Sequence, residues 1–156
     1  METIFNSLKT INDFFSEHVK NNVIQNLDLQ FLNTNEEKKD FIYELLFSLK
    51  KNDRVIIRVL FWEKECKLEK LLQDMFHETC IIYKTYDNKD IPGILFIDTN
   101  LIQYRKNISD LLMRHLNFEL AIEPSLNIRI QILLNNNINP LILDIYDDRG
   151  LNLVFS

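Results

Sequence analysis

Carboxylates stand at the ends of two apolar segments that have the composition of strands. Asp98 closes the first segment, and Asp144, Asp147 and Asp148 stand in or directly after the second. Acidic oxygens from different strands that converge on Mg²⁺ are typical of metal-dependent nucleases and hydrolases. Asp98 with Asp144 or Asp148 is therefore one candidate catalytic set. The spacing places no lysine or further acid beside it, and acids at sheet edges are also common solvated residues.

The second group of acids also has the pattern of a turn. Asp147-Asp148-Arg149-Gly150 connects the apolar segments 141–145 and 151–155, which predict the two strands of a hairpin. An aspartate that begins a turn can accept backbone N–H bonds, and we expect Gly150 to take the positive φ of a type I turn with a G1 bulge. Turn chemistry thus explains Asp147 and Gly150. Asp148 and Arg149 either hold the turn or point outward to a partner.

The sequence lacks the other common catalytic patterns. Two isolated glycines cannot form the glycine-rich loops that bind phosphates, and neither Gly-x-Ser-x-Gly nor His-Glu-x-x-His is present. Three histidines fall in predicted helices beside apolar residues, where a packed or surface imidazole is commoner than a catalyst: His18, His77 and His115. We therefore expect a protein that is not an enzyme and that needs no cofactor.

The cysteines and the N-terminal segment bear on location. Cys66 and Cys80 form no Cys-x-x-Cys pair and have only His77 nearby, so they do not predict a metal site. The first residues lack a basic start followed by an unbroken apolar core, and no apolar stretch reaches the roughly 18 to 20 residues that a membrane helix requires. We expect a cytoplasmic protein with reduced thiols and no membrane association.

The spacing of apolar residues predicts the elements that position these side chains. Amphipathic spacing predicts helices over 2–19, 36–49, 65–77 and about 108–116, with Asn33-Thr34-Asn35 capping the second and Ser109 or Asn107 the fourth. Alternating or continuous apolar runs predict strands at 26–32, 53–62, 80–86, 94–98, 127–132, 141–145 and 151–155. The fold class is α+β: a single domain over 1–156 with an antiparallel or mixed sheet, three to four helices packed on it and a C-terminal hairpin.

The C-terminal segment carries a family resemblance. Ile-Tyr-Asp-Asp-Arg-Gly-Leu-Asn-Leu-Val at 145–154 resembles the C-terminal hallmark of a small bacterial family of unknown function, in which an apolar strand leads through Tyr-Asp-Asp-Arg-Gly into a final strand. The resemblance covers about the last quarter of the chain, and Asn152 stands where such relatives often have Asp. It implies a small, cytosolic, bacterial α+β protein. Orphan acidic domains of this kind are associated with toxin–immunity gene pairs, which implies a toxin as partner.

The overall charge favours a protein partner. A formal net charge of −5 opposes binding to a phosphate backbone, which requires clustered Lys and Arg, but it suits a basic protein. We therefore expect an immunity protein that neutralises a basic toxin domain. Its expected contacts lie in two segments: Tyr83, Tyr86, Asp87 and Asp90, and Tyr146, Asp147, Asp148 and Arg149. A metal-dependent hydrolase or nuclease is the alternative, and self-association through the final strand is a third. The sequence leaves the oligomeric state open.

Overall fold

A computed structural model describes residues 2–21, 23–63, 65–77, 80–88, 90–135 and 139–155, with only the backbone described at 2–7, 21, 23, 65 and 66. These residues form four helices and seven strands. The helices are α1 (Glu2–Asn21), α2 (Asn35–Leu49), α3 (Glu65–Phe76) and α4 (Arg105–Glu119). The strands are β1 (Val23–Asp28), β2 (Arg54–Phe61), β3 (Cys80–Lys84), β4 (Gly93–Asn100), β5 (Ile128–Leu134), β6 (Leu141–Asp147) and β7 (Gly150–Phe155).

The strands of this part of the chain build one sheet in the order β1-β7-β6-β5-β2-β4-β3, and each neighbouring pair is antiparallel. The predicted α+β class and the C-terminal hairpin, β6–β7, are confirmed. The continuous apolar run of β2 places it between β5 and β4, where both of its faces are buried. The final strand β7 lies between β6 and β1, so both of its edges are already paired and it cannot extend a second sheet.

Both faces of the sheet pack on helices, because successive side chains of each strand point to opposite faces and both sets are apolar. One face carries Val55, Ile57 and Val59 and packs against α2, α3 and α4 in the main core. The other face carries Ile56 and Phe96 and packs against α1 in a smaller core. The result is a three-layer arrangement with three helices on one side and one on the other.

A buried polar network holds α1 on its face of the sheet. Arg58 on β2 is buried, and its Nη1 donates to Asn12 Oδ1 (2.9 Å) and to Ser16 Oγ (3.1 Å) on α1. Its Nε donates to Gln131 Oε1 (2.8 Å), and the Gln131 amide in turn donates to Asp144 (3.2 Å). Burial lowers the pKa of Arg58 to about 10, and Asp144 opposes this shift. The guanidinium thus remains charged at neutral pH and links α1 to three strands.

Several element boundaries differ from the sequence prediction, and two of the differences are explained by a local side-chain bond. β1 ends at Asp28, earlier than the predicted strand, because the Asp28 carboxylate accepts the backbone N–H of Gln30 and turns the chain. α4 begins at Arg105, not at the predicted caps. Its N-cap Tyr104 makes no side-chain cap bond, and Asn100 Oδ1 instead accepts two backbone N–H groups in the preceding turn. The predicted Thr34 cap of α2 is confirmed: its hydroxyl accepts the Glu37 N–H.

Candidate protein-binding surface at the hairpin end

The two segments that sequence reasoning proposed as contacts lie at the same end of the sheet. Register pairs Phe61 with Gly93 and Ile128, and pairs Leu151 with Ile145 and Leu27. The β3–β4 loop, the α4–β5 loop, the β6–β7 turn and the β1–α2 loop therefore project from one end, which we call the hairpin end. The two predicted segments are four strand positions apart, about 19 Å at a spacing of about 4.8 Å.

Asp147 and Arg149, two of the three charged residues of the hairpin turn, form an ion pair with one another. Asp147 is 7% exposed, and its carboxylate accepts the Arg149 backbone N–H (2.7 Å) and the Arg149 guanidinium (2.9 and 2.5 Å). Burial raises the pKa of Asp147, but the hydrogen bonds from Arg149 outweigh it, so that the pKa lies below its usual value. The Arg149 side chain, by contrast, is mostly exposed. Asp147 stabilises the turn, and Arg149 is the charge of this pair that a partner can reach.

The remaining acid of the turn faces α2. Asp148 is 9% exposed, and its carboxylate lies 3.7 Å from the ammonium of Lys38, which is also buried. The backbone N–H of Leu29 donates to the Arg149 carbonyl (2.8 Å), which joins the turn to the β1–α2 loop. Both contacts cross more than 100 positions of sequence. Asp148 therefore anchors the hairpin to α2 in the isolated chain.

Gly150 has a different role from the one that turn chemistry predicted. No glycine among the described residues has a positive φ, so the expected G1 conformation at Gly150 is wrong. A Cβ at this position would instead overlap the Tyr146 hydroxyl and lie 2.7 Å from the Leu27 carbonyl oxygen. Tyr146 crosses directly over Gly150, and its hydroxyl accepts a hydrogen bond from the Asn26 amide (2.9 Å). Glycine is required for this close approach, which fixes the position of the Tyr146 ring.

The predicted contacts on the β3–β4 side form a looser group. Tyr83 is half-buried, and its ring lies edge-on to Phe96 at 6.0 Å between centroids. Tyr86 packs partly against the main core. The carboxylates of Asp87 and Asp90 are exposed, and that of Asp87 accepts only the Thr85 hydroxyl (3.2 Å) among the described residues. The tyrosines are mainly structural, whereas both acids are accessible.

Between the two segments lies a cleft that the sequence analysis did not identify. The cleft has a volume of about 420 Å³ and lies between the end of β2, the start of β5, the end of α4 and Tyr146. It is called the hairpin-end cleft, and its walls include Trp62, His115, Phe118, Glu119, Arg129 and Tyr146. The available signals were the only tryptophan of the chain, placed directly after a strand, and the apolar residues at the end of α4. Phe118, Leu120 and Ile122 are exposed there, as interface residues often are.

The histidine of this cleft is part of its floor. His115 Nδ1 lies 2.7 Å from the Ile128 carbonyl oxygen, so Nδ1 carries the proton and donates it. Burial lowers the pKa of His115, although the backbone bonds of Ile128 and Ile145 and the charge of Asp147 oppose the shift. The ring is therefore neutral at pH 7 and adds no positive charge to the cleft.

At the hairpin end the arginines form ion pairs, whereas several carboxylates do not. Its arginines are each held by an aspartate: Arg149 by Asp147, and Arg129 by Asp144 through two bonds of 2.9 and 2.5 Å. Several carboxylates, by contrast, form no ion pair among the described residues: Asp28, Glu63, Asp87, Asp90, Glu119 and Glu123. Exposed basic side chains lie toward the opposite end at Lys20, Lys51, Arg105 and Lys106, and at the hairpin end at Lys67, Lys70 and Lys84. The six carboxylates named above outnumber these three lysines, so the hairpin end carries an excess of accessible negative charge among the described residues.

The acids of the alternative catalytic set are not brought together. Asp98 lies on β4, two residues before its end, and forms an exposed bidentate pair with Arg54 (2.9 and 2.7 Å). Asp144 is 1% exposed on β6 and belongs to the Arg129 pair. Two strands separate β4 from β6, which places the two carboxylates about 14 Å apart across the sheet. Asp148 faces Lys38, so each of the three acids is paired with a different cation and neither proposed pair forms a metal position.

Comparison of the chain with known families, proteins and structures gives no match. No family model matches the chain, and no curated protein and no solved structure is significantly similar to it. Within the described residues, no three His, Cys, Asp or Glu side chains are grouped so that they could hold a metal ion. The Cys66 side chain is outside the described set, whereas Cys80 is buried, which raises the pKa of its thiol to about 12. None of the described helices has the length and apolar character needed to cross a membrane.

Proposed function

We propose that this chain is a bacterial immunity protein that acts in the cytoplasm and neutralises a basic toxin domain by binding it with the hairpin end. The observation that carries the proposal is the placement of both predicted contact segments at one end of the sheet, on either side of a cleft with aromatic walls. Aromatic side chains and arginine supply most of the binding energy in protein interfaces. The Tyr-Asp-Asp-Arg-Gly segment contributes Tyr146 and Arg149 to this surface, in keeping with the resemblance noted for it.

The charge distribution favours a basic partner. Unpaired carboxylates such as Asp87, Asp90 and Glu119 attract a cationic surface over about one Debye length, roughly 8 to 10 Å at ordinary ionic strength. The exposed lysines and arginines at the opposite end would repel the same partner if it approached from there. Both effects orient the encounter toward the hairpin end. We therefore expect an association rate that falls as salt concentration rises.

The test begins with the product of the neighbouring gene, co-expressed with this chain. We expect a stoichiometric complex by light scattering, with a partner that stops cell growth alone and is harmless when this chain is present. Glu119→Lys should weaken the complex at least roughly ten-fold, because it places like charges together. Glu44→Lys is the matched control, since Glu44 is also exposed but lies on α2 away from the hairpin end.

Two results would contradict the proposal. The first is a chain that remains alone in light scattering and leaves the toxicity of its neighbour unchanged. The second is a complex that Glu119→Lys and Glu44→Lys weaken equally, which would place the interface elsewhere on the molecule.

A further inference from the structure

The hairpin-end cleft combines aromatic walls with one carboxylate that forms no ion pair among the described residues. Trp62 and Tyr146 are half-buried and Phe118 is exposed, so that parts of all three rings remain accessible at the cleft. Glu119 at the end of α4 forms no ion pair and no side-chain hydrogen bond among the described residues. Its charge reaches Arg149, which is already bound to Asp147. The cleft therefore has one accessible anion beside aromatic faces.

The arginine of the cleft already has a partner, and its histidine is neutral. Arg129 is bound through two hydrogen bonds to Asp144, a carboxylate that is 1% exposed and that also supports the charge of Arg58, so Arg129 already has its anion. His115 is neutral at pH 7, since its Nδ1–H is donated to a backbone carbonyl and burial disfavours a second proton. Among the charged side chains that line the cleft, Glu119 is the one without an ion-pair partner in the described part of the chain. A cationic ligand can bind it without displacing an internal contact.

We propose that the hairpin-end cleft receives an arginine side chain of the basic partner. This inference rests on the proposed function and names the part of the partner that the surface recognises. A guanidinium group is planar, so it can stack on the face of Trp62 or Tyr146 while it donates two parallel hydrogen bonds to the Glu119 carboxylate. A lysine ammonium is more strongly hydrated and offers neither a plane nor a fork of donors. Arginine is therefore preferred over lysine at this cleft.

The test uses argininamide as the probe and Trp62 as the reporter. Trp62 is the only tryptophan in the chain, so intrinsic fluorescence reports on the cleft without a label. At constant ionic strength we expect a saturable change in fluorescence, with a dissociation constant in the millimolar range for so small a ligand. Lysinamide should bind more weakly. Citrullinamide, which has nearly the same shape but no charge, should produce no saturable change.

Variants then assign the binding to the proposed contact. Glu119→Gln should weaken argininamide binding about ten-fold, because it removes a charge-assisted hydrogen bond while keeping the size of the side chain. Asp74→Asn is the matched control, since Asp74 is also exposed on a helix but lies outside this cleft and should leave binding unchanged. Equal melting temperatures of the three proteins establish that folding is preserved.

Failure of this inference is distinguishable from failure of the proposed function. If argininamide gives no saturable change, or if citrullinamide or the Glu119→Gln variant binds equally well, the cleft does not recognise arginine. A stoichiometric complex with a basic toxin would still support the proposed function in that case. If argininamide binds as expected and the toxin does not, the arginine site stands and the immunity function is wrong.

Discussion

Replacement of Gly150 by alanine tests why glycine occupies the hairpin turn. Because φ at Gly150 is not positive, alanine meets no backbone strain there. Its Cβ would instead overlap the Tyr146 hydroxyl and press on the Leu27 carbonyl oxygen at 2.7 Å. The Tyr146 ring can rotate away from the new methyl group. The Leu27 carbonyl has little freedom to move, since Leu27 is paired with Leu151 in the sheet.

The expected loss of stability in Gly150→Ala follows from these two contacts. Overpacking of a well-packed site typically costs about 1 to 3 kcal/mol, and loss of the hydrogen bond from Asn26 to the Tyr146 hydroxyl costs about 1 kcal/mol more. We therefore expect Gly150→Ala to lower the free energy of unfolding by about 3 kcal/mol. For a chain of this length the melting temperature should fall by roughly 6 to 12 °C. The shifted Tyr146 ring should also weaken argininamide binding at the cleft.

Urea denaturation followed by circular dichroism measures the effect. Tyr146→Phe combined with Gly150→Ala should recover part of the loss, because the overlapping hydroxyl is removed while the Leu27 contact remains. Gly150→Asn separates the two explanations of this glycine. Asparagine tolerates positive φ but carries a Cβ, so it should cost as much as alanine. A Gly150→Ala protein within about 0.5 kcal/mol of wild type, or a Gly150→Asn protein clearly more stable than Gly150→Ala, would refute the close-approach argument.

Four further changes test the fold and its charges. Asp148→Ala leaves the Lys38 ammonium buried without its partner and should destabilise the chain by about 2 kcal/mol in urea, whereas Lys38→Met combined with Asp148→Leu should recover much of this. Arg58→Met should cost about 2 to 4 kcal/mol by calorimetry, since it leaves the polar partners of the guanidinium on α1 and β5 unpaired. Ala121 has a φ of 54° just after α4, so Ala121→Gly should raise the melting temperature by the equivalent of about 1 kcal/mol. The pKa of His115 is lower in the folded state than in the unfolded chain, so the unfolded chain alone takes up this proton as pH falls below about 6.5. Stability should therefore decrease from pH 7.5 to pH 5.5 in urea titrations, and His115→Phe should reduce that decrease.

The sequence predicts the order and type of the elements because local periodicity dominates them. Each of the four helices buries one apolar stripe, and the strands either alternate or, like β2, are buried on both faces. Boundaries were less predictable wherever one polar side chain bonds the backbone nearby. Asp28 ends β1 and Asn100 forms the turn before α4, yet neither residue type by itself states which backbone group it will bond.

The buried charges could not have been predicted from local pattern. Lys38 lies in a stretch of mixed charges, which is typical of a solvated helix face, but in the fold it is buried against Asp148. Arg58 occupies an apolar strand, and the partners that satisfy its guanidinium come from α1 and β5. Whether a charged side chain is buried depends on a partner that is distant in the sequence. The residues around the charged side chain do not indicate whether such a partner exists.

Residues of the Tyr-Asp-Asp-Arg-Gly segment also bind partners that are distant in the sequence. Asp147 closes the turn on Arg149, Asp148 anchors it to α2, and Gly150 admits the Tyr146 ring. Three of the five residues thus have a role within the isolated chain. The pattern therefore stabilises the hairpin of this fold. Selection among partners should depend on residues outside it, such as Trp62 and Glu119, which line the hairpin-end cleft without stabilising the hairpin.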